Sequence, residues 1–169
     1  AVLSEQALES IARLAVERQF YVVSDEIYEK LIYDGCRHIS IASLGEDIYN
    51  QTIVINGMSK AYAMTGWRIG YAAGPREIIR AMSNYQSHAT SNPNAVAQFA
   101  SITALEGGEE LMQAMVREFD ARRKFIVQAI NDVEGLSCPT PKGAFYVMMN
   151  VSALIGKRYR GETIKGSMD

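Results

Sequence analysis

Cysteine is scarce in this chain of 169 residues, which contains only Cys36 and Cys138. The two residues are far apart in the sequence, and neither lies in a pattern of spaced metal ligands. This argues against a disulfide scaffold and against a zinc site. Two isolated thiols are typical of a reducing compartment, so we expect a cytoplasmic location.

Long apolar runs and a strong net charge are also lacking. No apolar segment approaches the roughly 20 residues that a membrane-spanning helix requires. The first residues do not combine a basic segment with an apolar one, as a secretory signal would. The net charge of −2 gives no reason to expect binding to nucleic acid or to an anionic membrane. With 48% hydrophobic and 21% charged residues, the composition is that of an ordinary globular protein.

Hydrophobic periodicity predicts helices that alternate with short strands. Ser4 is a suitable N-cap for a first helix that extends to about Arg18. The aromatic and β-branched run 20–23 predicts a buried strand. A helix followed by a strand is the repeating unit of parallel α/β sheets. The remaining pattern predicts strands at 52–55, 69–73 and 145–149 and helices at 77–85, 95–105 and 109–132.

The glycine pair Gly107-Gly108 is the clearest internal break in the chain. We expect residues 1–107 to form part of a large domain, and residues 108–169 to form a long helix leading into a smaller one. The chain lacks an initiator methionine, starts almost directly with a helix, and shows no closing element near its end. We therefore expect an internal fragment of a larger protein.

The segment from Ser59 to Gly70 carries the most specific chemistry. Lys60 follows the apolar run 52–55, and Arg68 lies eight residues further on, between Trp67 and Ile69. An amine at the mouth of a sheet, with a guanidinium nearby, suits a cofactor that has both an aldehyde and a phosphate. Pyridoxal phosphate is such a cofactor. Lys60 would hold its aldehyde as a Schiff base, and Arg68 would bind its phosphate through paired hydrogen bonds.

Each of these residues has an ordinary structural alternative. Lys60 could be a solvated surface lysine, which is the usual fate of lysine. Arg68 could form a surface ion pair with Glu77 or Asp25. Ser59 could donate a further hydrogen bond to the phosphate, or it could cap the following turn.

Asp25 lies at the end of the first predicted strand, and parallel sheets bind ligands at that end of their strands. Its carboxylate could pair with the protonated pyridine nitrogen, so that the ring can accept electrons. Tyr28 would face the same way if a helical turn follows, and its hydroxyl could bond the ring oxygen of the cofactor. Alternatively, Asp25 forms a turn and Tyr28 is a half-buried amphipathic ring. We assign no role to His38 or His88.

Two motifs, in this order and at this separation, resemble those of the class I/II aminotransferases, which are pyridoxal-phosphate enzymes of fold type I. The motifs are Ser24-Asp25-Glu26-Ile27-Tyr28 and Asn56-Gly57-Met58-Ser59-Lys60-Ala61-Tyr62-Ala63-Met64-Thr65-Gly66-Trp67-Arg68-Ile69-Gly70-Tyr71. The bacterial aspartate aminotransferases look nearest, and the resemblance covers essentially the whole chain. It implies an α/β fold with a mixed, mostly parallel sheet and flanking helices, followed by the start of an α+β small domain.

The resemblance also implies a role for each candidate site residue. Lys60 would form the Schiff base and move a proton between the substrate Cα and the cofactor C4′. Asp25 would bind the pyridine nitrogen, and Tyr28 would bind the ring oxygen. The phosphate would be bound by Ser59 and Arg68.

The family pattern is incomplete in this chain. Gly57 stands where many relatives have serine, so one phosphate hydrogen bond is missing unless a backbone N–H replaces it. The family motif Asn-Pro-x-Asn-Pro-Thr-Gly normally lies just before the position of Ala1. The arginine that grips the substrate α-carboxylate would lie beyond Asp169. The chain thus holds the lysine half of a cofactor site and lacks most of the substrate site.

Three functional hypotheses remain open. The parent protein would be an aminotransferase that acts on an amino acid and a 2-oxo acid as a homodimer, with the isolated chain inactive. It could instead be a pyridoxal-phosphate C–S lyase or resemble aminocyclopropane-carboxylate synthase. The third hypothesis is an inert folded domain or interaction module. In a dimer, the segment 87–94 would approach the neighbouring site, unless it is an ordinary surface loop.

Overall fold

The computed structural model describes residues 2–167. Helices and short strands alternate in the first half of the chain, and helices dominate the second half. The helices are α1 (Glu5–Arg18), α2 (Glu46–Tyr49), α3 (Arg76–Ala89), α4 (Ala95–Gly107) and α5 (Glu109–Asn131). The strands are β1 (Val22–Asp25), β2 (Thr52–Gly57), β3 (Gly70–Ala73), β4 (Arg158–Tyr159) and β5 (Glu162–Thr163).

The first three strands form one mixed sheet in the order β1-β2-β3. β1 and β2 are parallel, and Asp25 lies beside Ile55. β2 and β3 are antiparallel, and Gly57 lies beside Gly70. The ends of β1 and β2 and the start of β3 therefore lie at the same edge of the sheet. The predicted mixed α/β architecture is confirmed.

Helix α1 follows its sequence signals closely. The Ser4 hydroxyl oxygen accepts a hydrogen bond from the Ala7 N–H at 3.3 Å, which confirms the predicted N-cap. The helix ends at Arg18, and Gln19 takes a left-handed conformation with φ of 56°. Leu8, Ala12 and Ala15 are buried on one side of the helix, and they form a core cluster with Ile41 and Ile48. This cluster holds the loop after β1 against the sheet.

The prediction of a buried strand at 20–23 is wrong in two respects. The strand begins two residues later, at Val22, and it continues to Asp25. It also alternates between half-buried and exposed positions, and Val23 is 65% exposed. Among residues 2–167, only one face of this strand is covered. The β-branched composition correctly indicated a strand, but composition does not show how many faces of a strand are packed.

The predicted strand at 145–149 is not present, because those residues lie outside regular secondary structure. The preceding residues instead pair with the loop after β1. Ala144 N–H donates to the Leu31 carbonyl at 2.8 Å, and Tyr33 N–H donates to the Lys142 carbonyl at 3.0 Å. The apolar run therefore packs its aromatic side chains without entering a sheet.

A buried arginine ties helix α5 to the same loop. Arg123 is 5% exposed, and it is buried on the same helix as the apolar residues Met112, Val127 and Ile130. Its guanidinium donates two hydrogen bonds to Asp34, at 2.6 and 2.7 Å, and one to Asp120 at 2.9 Å. It also lies 4.6 Å from the centroid of the Tyr33 ring.

Helices α3 and α4 are largely uncovered within the described chain. Helix α3 buries none of its residues, and α4 buries Ala97 and Ser101.

No helix within residues 2–167 has the length and apolar character needed to cross a membrane. The division of the chain at Gly107-Gly108 stays a prediction.

Candidate active site

The sheet brings the sequence-predicted site residues to one edge. Asp25 ends β1, and Lys60 follows the end of β2 by three residues. Arg68 precedes the start of β3 by two residues, next to the same end of β2. Because β1 and β2 are parallel while β3 runs in the opposite direction, the three segments converge where ligands bind in open α/β sheets.

Lys60 lies between aromatic rings and not beside a carboxylate. Its Nζ is 5.9 Å from the centroid of the Tyr28 ring and 5.7 Å from that of the Phe145 ring. The residue is half-buried. Within the described chain, Lys60 has no ion-pair partner, so its amine is available to a ligand. Aromatic faces stabilise a nearby cation only modestly, by about 0.5–1 kcal/mol at exposed sites.

Asp25 has the turn-forming role that the sequence leaves open, and its second carboxylate oxygen bonds no described residue. Its Oδ1 accepts a hydrogen bond from the Ile27 N–H at 3.1 Å, which is the turn-forming role. Among residues 2–167, Oδ2 has no hydrogen-bond partner, and the side chain is exposed. The turn thus fixes one oxygen and leaves the other for a ligand.

The Tyr28 hydroxyl lies 2.7 Å from the Tyr146 hydroxyl. The two rings meet edge to face, with their centroids 5.7 Å apart, and Phe145 meets Tyr28 in the same way at 5.3 Å. Burial, the Tyr146 hydrogen bond and the charges of Tyr146 and Asp25 together raise the pKa of Tyr28 to about 12. Tyr28 is therefore a neutral phenol near pH 7, and it can donate a hydrogen bond to an anionic oxygen.

Sequence reasoning missed the site role of Phe145 and Tyr146, because the run 145–149 was interpreted as a strand. Both rings lie against Tyr28, more than 100 residues away in the chain. An apolar aromatic run indicates burial, but it does not show which surface the rings will cover. The adjacent Gly143 is the better signal, because a Cβ there would lie 2.7 Å from Val2 and 3.1 Å from the Leu31 carbonyl.

Arg68 is exposed and has a left-handed backbone with φ of 53°. That conformation is less favourable for a residue with a side chain, and here it ends the short 3₁₀ turn Thr65–Trp67. Its NH1 donates to the Thr65 carbonyl at 2.9 Å. The alternative ion pair with Glu77 or Asp25 is not formed. The remaining guanidinium donors have no partner in the part of the chain that the structure describes.

The phosphate end of the predicted site contains Ser59 and the glycine pair at the β2–β3 junction. Ser59 is half-buried, and its hydroxyl bonds no other described residue. A Cβ on Gly57 would lie 2.8 Å from the Gly70 Cα, so the close approach of the strands requires glycine. The Gly57 N–H donates to Asn56 Oδ1 at 2.7 Å. This N–H is already bonded and does not replace the serine hydroxyl that many relatives would offer.

A second polar group behind Asp25 was also missed. Glu26 is buried at 7% exposure, and it contacts Ser24, His38 and Ser40. We assign no role to His38 from the sequence, because its spacing matches no ligand pattern. The alternation of Ser24, Asp25 and Glu26 was the available signal, because it places Ser24 and Glu26 on the face opposite Asp25.

These groups suit pyridoxal phosphate as a donor set. An amine can bind the aldehyde, and a carboxylate oxygen can accept a hydrogen bond from the pyridine nitrogen. A neutral phenol can donate to the ring oxygen, and a guanidinium with a hydroxyl can bind phosphate. Within residues 2–167, neither Lys60 nor Arg68 is paired with a carboxylate, and Arg68 bonds only the Thr65 carbonyl; this observation supports the fit.

Comparisons with known proteins agree with this fit. A family model described as aminotransferase class I and II matches residues 1–163. The chain is 46% identical to an aspartate aminotransferase of Bacillus sp. strain YM-2, over 89% of this chain and 38% of the relative. The crystal structure of a Rhizobium meliloti aspartate aminotransferase superposes with a TM-score of 0.95 at 39% identity, over 99% of this chain and 42% of that one. An aromatic aminotransferase from Pyrococcus horikoshii superposes with a TM-score of 0.83 at 43% identity, over 87% of this chain and 39% of that one.

The chain thus spans about two fifths of the length of the relatives that it matches. This agrees with the expectation of a piece of a larger protein. The structural neighbours have the predicted fold type I, and the resemblance that the two motifs indicated is confirmed. The family match covers nearly the whole sequence. The chain belongs to the class I and II aminotransferase family.

Proposed function

We propose that the protein to which this sequence belongs is a pyridoxal-phosphate-dependent aminotransferase that acts on an amino acid and a 2-oxo acid. The main support is the convergence of Lys60, Asp25, Tyr28 and Arg68 at one sheet edge, with neither cation paired to a described carboxylate. Two relatives are named aspartate aminotransferases and one an aromatic aminotransferase. Aspartate is therefore the first substrate to test.

Each residue would contribute a different interaction. Lys60 would bind the cofactor through its amine and carry a proton at Nζ. Asp25 would use its free Oδ2 to hold the ring nitrogen, and Tyr28 would donate to the ring oxygen. Arg68 and Ser59 would bind the phosphate. The cofactor supplies the electron sink that stabilises negative charge at the substrate Cα.

The site in this chain is half of what the reaction requires. By the family resemblance, the groups that bind the substrate carboxylates would not be among the residues of this chain. We therefore propose that the isolated chain does not turn over substrate at a useful rate. A homodimer and a cytoplasmic location are part of the same proposal, and the segment 87–94 is the part of this chain that would approach the partner.

The proposal is tested by assaying a full-length protein that contains this sequence. With pyridoxal phosphate present, aspartate should be consumed only when a 2-oxo acid is supplied, and substitution of Lys60→Ala should abolish turnover. Release of pyruvate and ammonia from a cysteine-type substrate, without an oxo acid, would contradict transamination and favour a C–S lyase. The isolated 169-residue chain serves as the comparison, and transamination by that chain alone would refute its predicted inactivity.

A further inference from the structure

We propose that Glu26 is a positioning residue for the Asp25 carboxylate, and that it acts through a hydrogen-bonded cluster with Ser24, His38 and Ser40. The inference rests on the proposed function, because it concerns the carboxylate that would bind the ring nitrogen of the cofactor.

The Glu26 carboxylate is buried and has partners on both of its oxygens. Its side chain is only 6% exposed. Oε1 accepts hydrogen bonds from the Ser40 hydroxyl at 2.6 Å and from the Ser24 hydroxyl at 3.0 Å. Oε2 lies 2.9 Å from His38 Nε2. A carboxylate is stable in such a place only when donors replace the water that it has lost, and three donors do so here.

The cluster holds the backbone on both sides of Asp25. Ser24 precedes Asp25 and Glu26 follows it, and their side chains bond each other on the face opposite the Asp25 carboxylate. The Glu26 N–H also donates to the Ile55 carbonyl of β2 at 2.8 Å. Ser40 and His38 attach this unit to the loop that packs under α1. The backbone around Asp25 is thus held by the Ser24–Glu26 hydrogen bond, by the hydrogen bond to Ile55, and by the contacts of Glu26 with Ser40 and His38.

A second carboxylate, that of Glu29, lies beside the cluster. Ligand atoms of Glu26, Glu29 and His38 all lie within 4.8 Å of one another. The Glu26 oxygens, however, are already engaged by three protein donors. The Glu29 carboxylate bonds none of Ser24, Ser40 or His38. This difference makes Glu29 a matched control for Glu26.

A displaced Asp25 would alter a measurable property of the loaded protein. With the cofactor bound, Asp25 would keep a proton on the ring nitrogen, and that positive charge would lower the pKa of the Schiff base at Lys60. Without the Asp25 contact, the ring nitrogen would lose its proton and its positive charge, so the Schiff-base pKa should rise. A shift of about 1 Å in a site group is enough to weaken such a contact.

The experiment is a pH titration of the visible absorbance of the protein loaded with pyridoxal phosphate. Substitution of Asp25→Asn sets the reference, and we expect it to raise the Schiff-base pKa by about 1 or more. Substitution of Glu26→Ala should raise it in the same direction by at least about 0.3. Substitution of Glu26→Gln should stay near the unsubstituted protein. Its amide oxygen still accepts from both serines, and its NH₂ can donate to neutral His38.

Several results would overturn the inference. An unchanged titration for Glu26→Ala would show that Asp25 does not depend on the cluster. Equal shifts for Glu26→Ala and Glu26→Gln, or for Glu26→Ala and Glu29→Ala, would show a general charge effect instead of positioning. If circular dichroism shows that Glu26→Ala does not fold, Ser40→Ala takes its place, because it removes only the 2.6 Å hydrogen bond. This variant should also raise the Schiff-base pKa, and an unchanged pKa would overturn the inference. The absence of a Schiff base in the unsubstituted protein would instead contradict the proposed function, and the inference with it.

Discussion

At the scale of single residues, the candidate site consists of side chains with donors or acceptors that bond no other residue of the described chain. Lys60 and Arg68 lack carboxylate partners there, and Asp25 has one engaged oxygen and one free. Three of these positions could be predicted from the sequence, because strand ends and motif spacing locate them. The Tyr28–Tyr146 contact could not, because it joins residues 118 apart and depends on how a loop packs.

A residue-scale prediction concerns Gly57. Substitution of Gly57→Ser restores the residue that many relatives have, but its Cβ would lie 2.8 Å from the Gly70 Cα and 3.0 Å from the Ile69 carbonyl. Both atoms belong to the backbone, so the strands must separate. We expect a loss of about 1–3 kcal/mol in the free energy of unfolding, measured by denaturant titration.

The matched control is Gly66→Ser, because a Cβ at Gly66 meets nothing within 4 Å. It should change the free energy of unfolding by no more than about 0.5 kcal/mol. Equal stability of the two variants would show that the β2–β3 junction accepts a side chain without strain.

A second residue-scale prediction concerns the tyrosine pair. Burial is the largest cause of the raised pKa of Tyr28, and the hydrogen bond with the Tyr146 hydroxyl is the next. Substitution of Tyr146→Phe should therefore lower the pKa of Tyr28 from about 12 towards its ordinary value of about 10. The ultraviolet absorbance of tyrosinate measures this, with Tyr28→Phe subtracted to isolate the signal. A Tyr28 titration that does not move would show that the hydroxyl contact has no influence in solution.

At the scale of secondary-structure elements, helix α1 and the sheet could be predicted and the 145–149 segment could not. The N-cap Ser4 and the helical spacing of Leu8 and Ala12 are local signals, and local hydrogen bonds then form as they indicate. The aromatic run after Gly143 has the composition of a strand. It lies against Tyr28 and α5 instead, because residues just before it pair with the loop at 31–33.

Helix α5 provides a prediction on stability. Arg123→Met removes the donor that joins Asp34, Asp120 and the Pro141 carbonyl. We expect a loss of about 2 kcal/mol near pH 7. This is less than for a fully enclosed ion pair, because the Asp34 side chain is 47% exposed. Arg122→Met is the control, since Arg122 forms an exposed pair with Glu118 that is worth about 0.3–0.5 kcal/mol.

The loss should also depend on pH. The Arg123 hydrogen bonds lower the pKa of Asp34, and the pKa of Asp120 is lowered by its hydrogen bond to Lys124 and then by Arg123. A carboxyl group with a lowered pKa stabilises the folded state above its ordinary pKa of about 3.9, and the benefit is lost as pH falls further. The difference between unsubstituted protein and Arg123→Met should therefore be full at pH 6 and shrink below about pH 4. A difference that is constant down to pH 2 would show that packing of the arginine, not its charge, provides the stability.

At the scale of the whole molecule, the described chain leaves large apolar side chains on α4 at the surface. Phe99 is 73% exposed, and Leu105 is 58% exposed. The relatives are more than twice as long as this chain. The family and fold could be predicted from two motifs. The burial of each face could not be predicted, because it depends on contacts between segments that are distant in the sequence.

Lys60 is the residue that we propose binds pyridoxal phosphate. The most direct measurement is to add the cofactor, reduce with borohydride, digest the protein and locate the modified residue by mass spectrometry. We predict a single dominant label on Lys60, which is lost in Lys60→Ala and weakened in Arg68→Ala. Labelling spread over several surface lysines, or a dominant label on another residue, would contradict this role of Lys60.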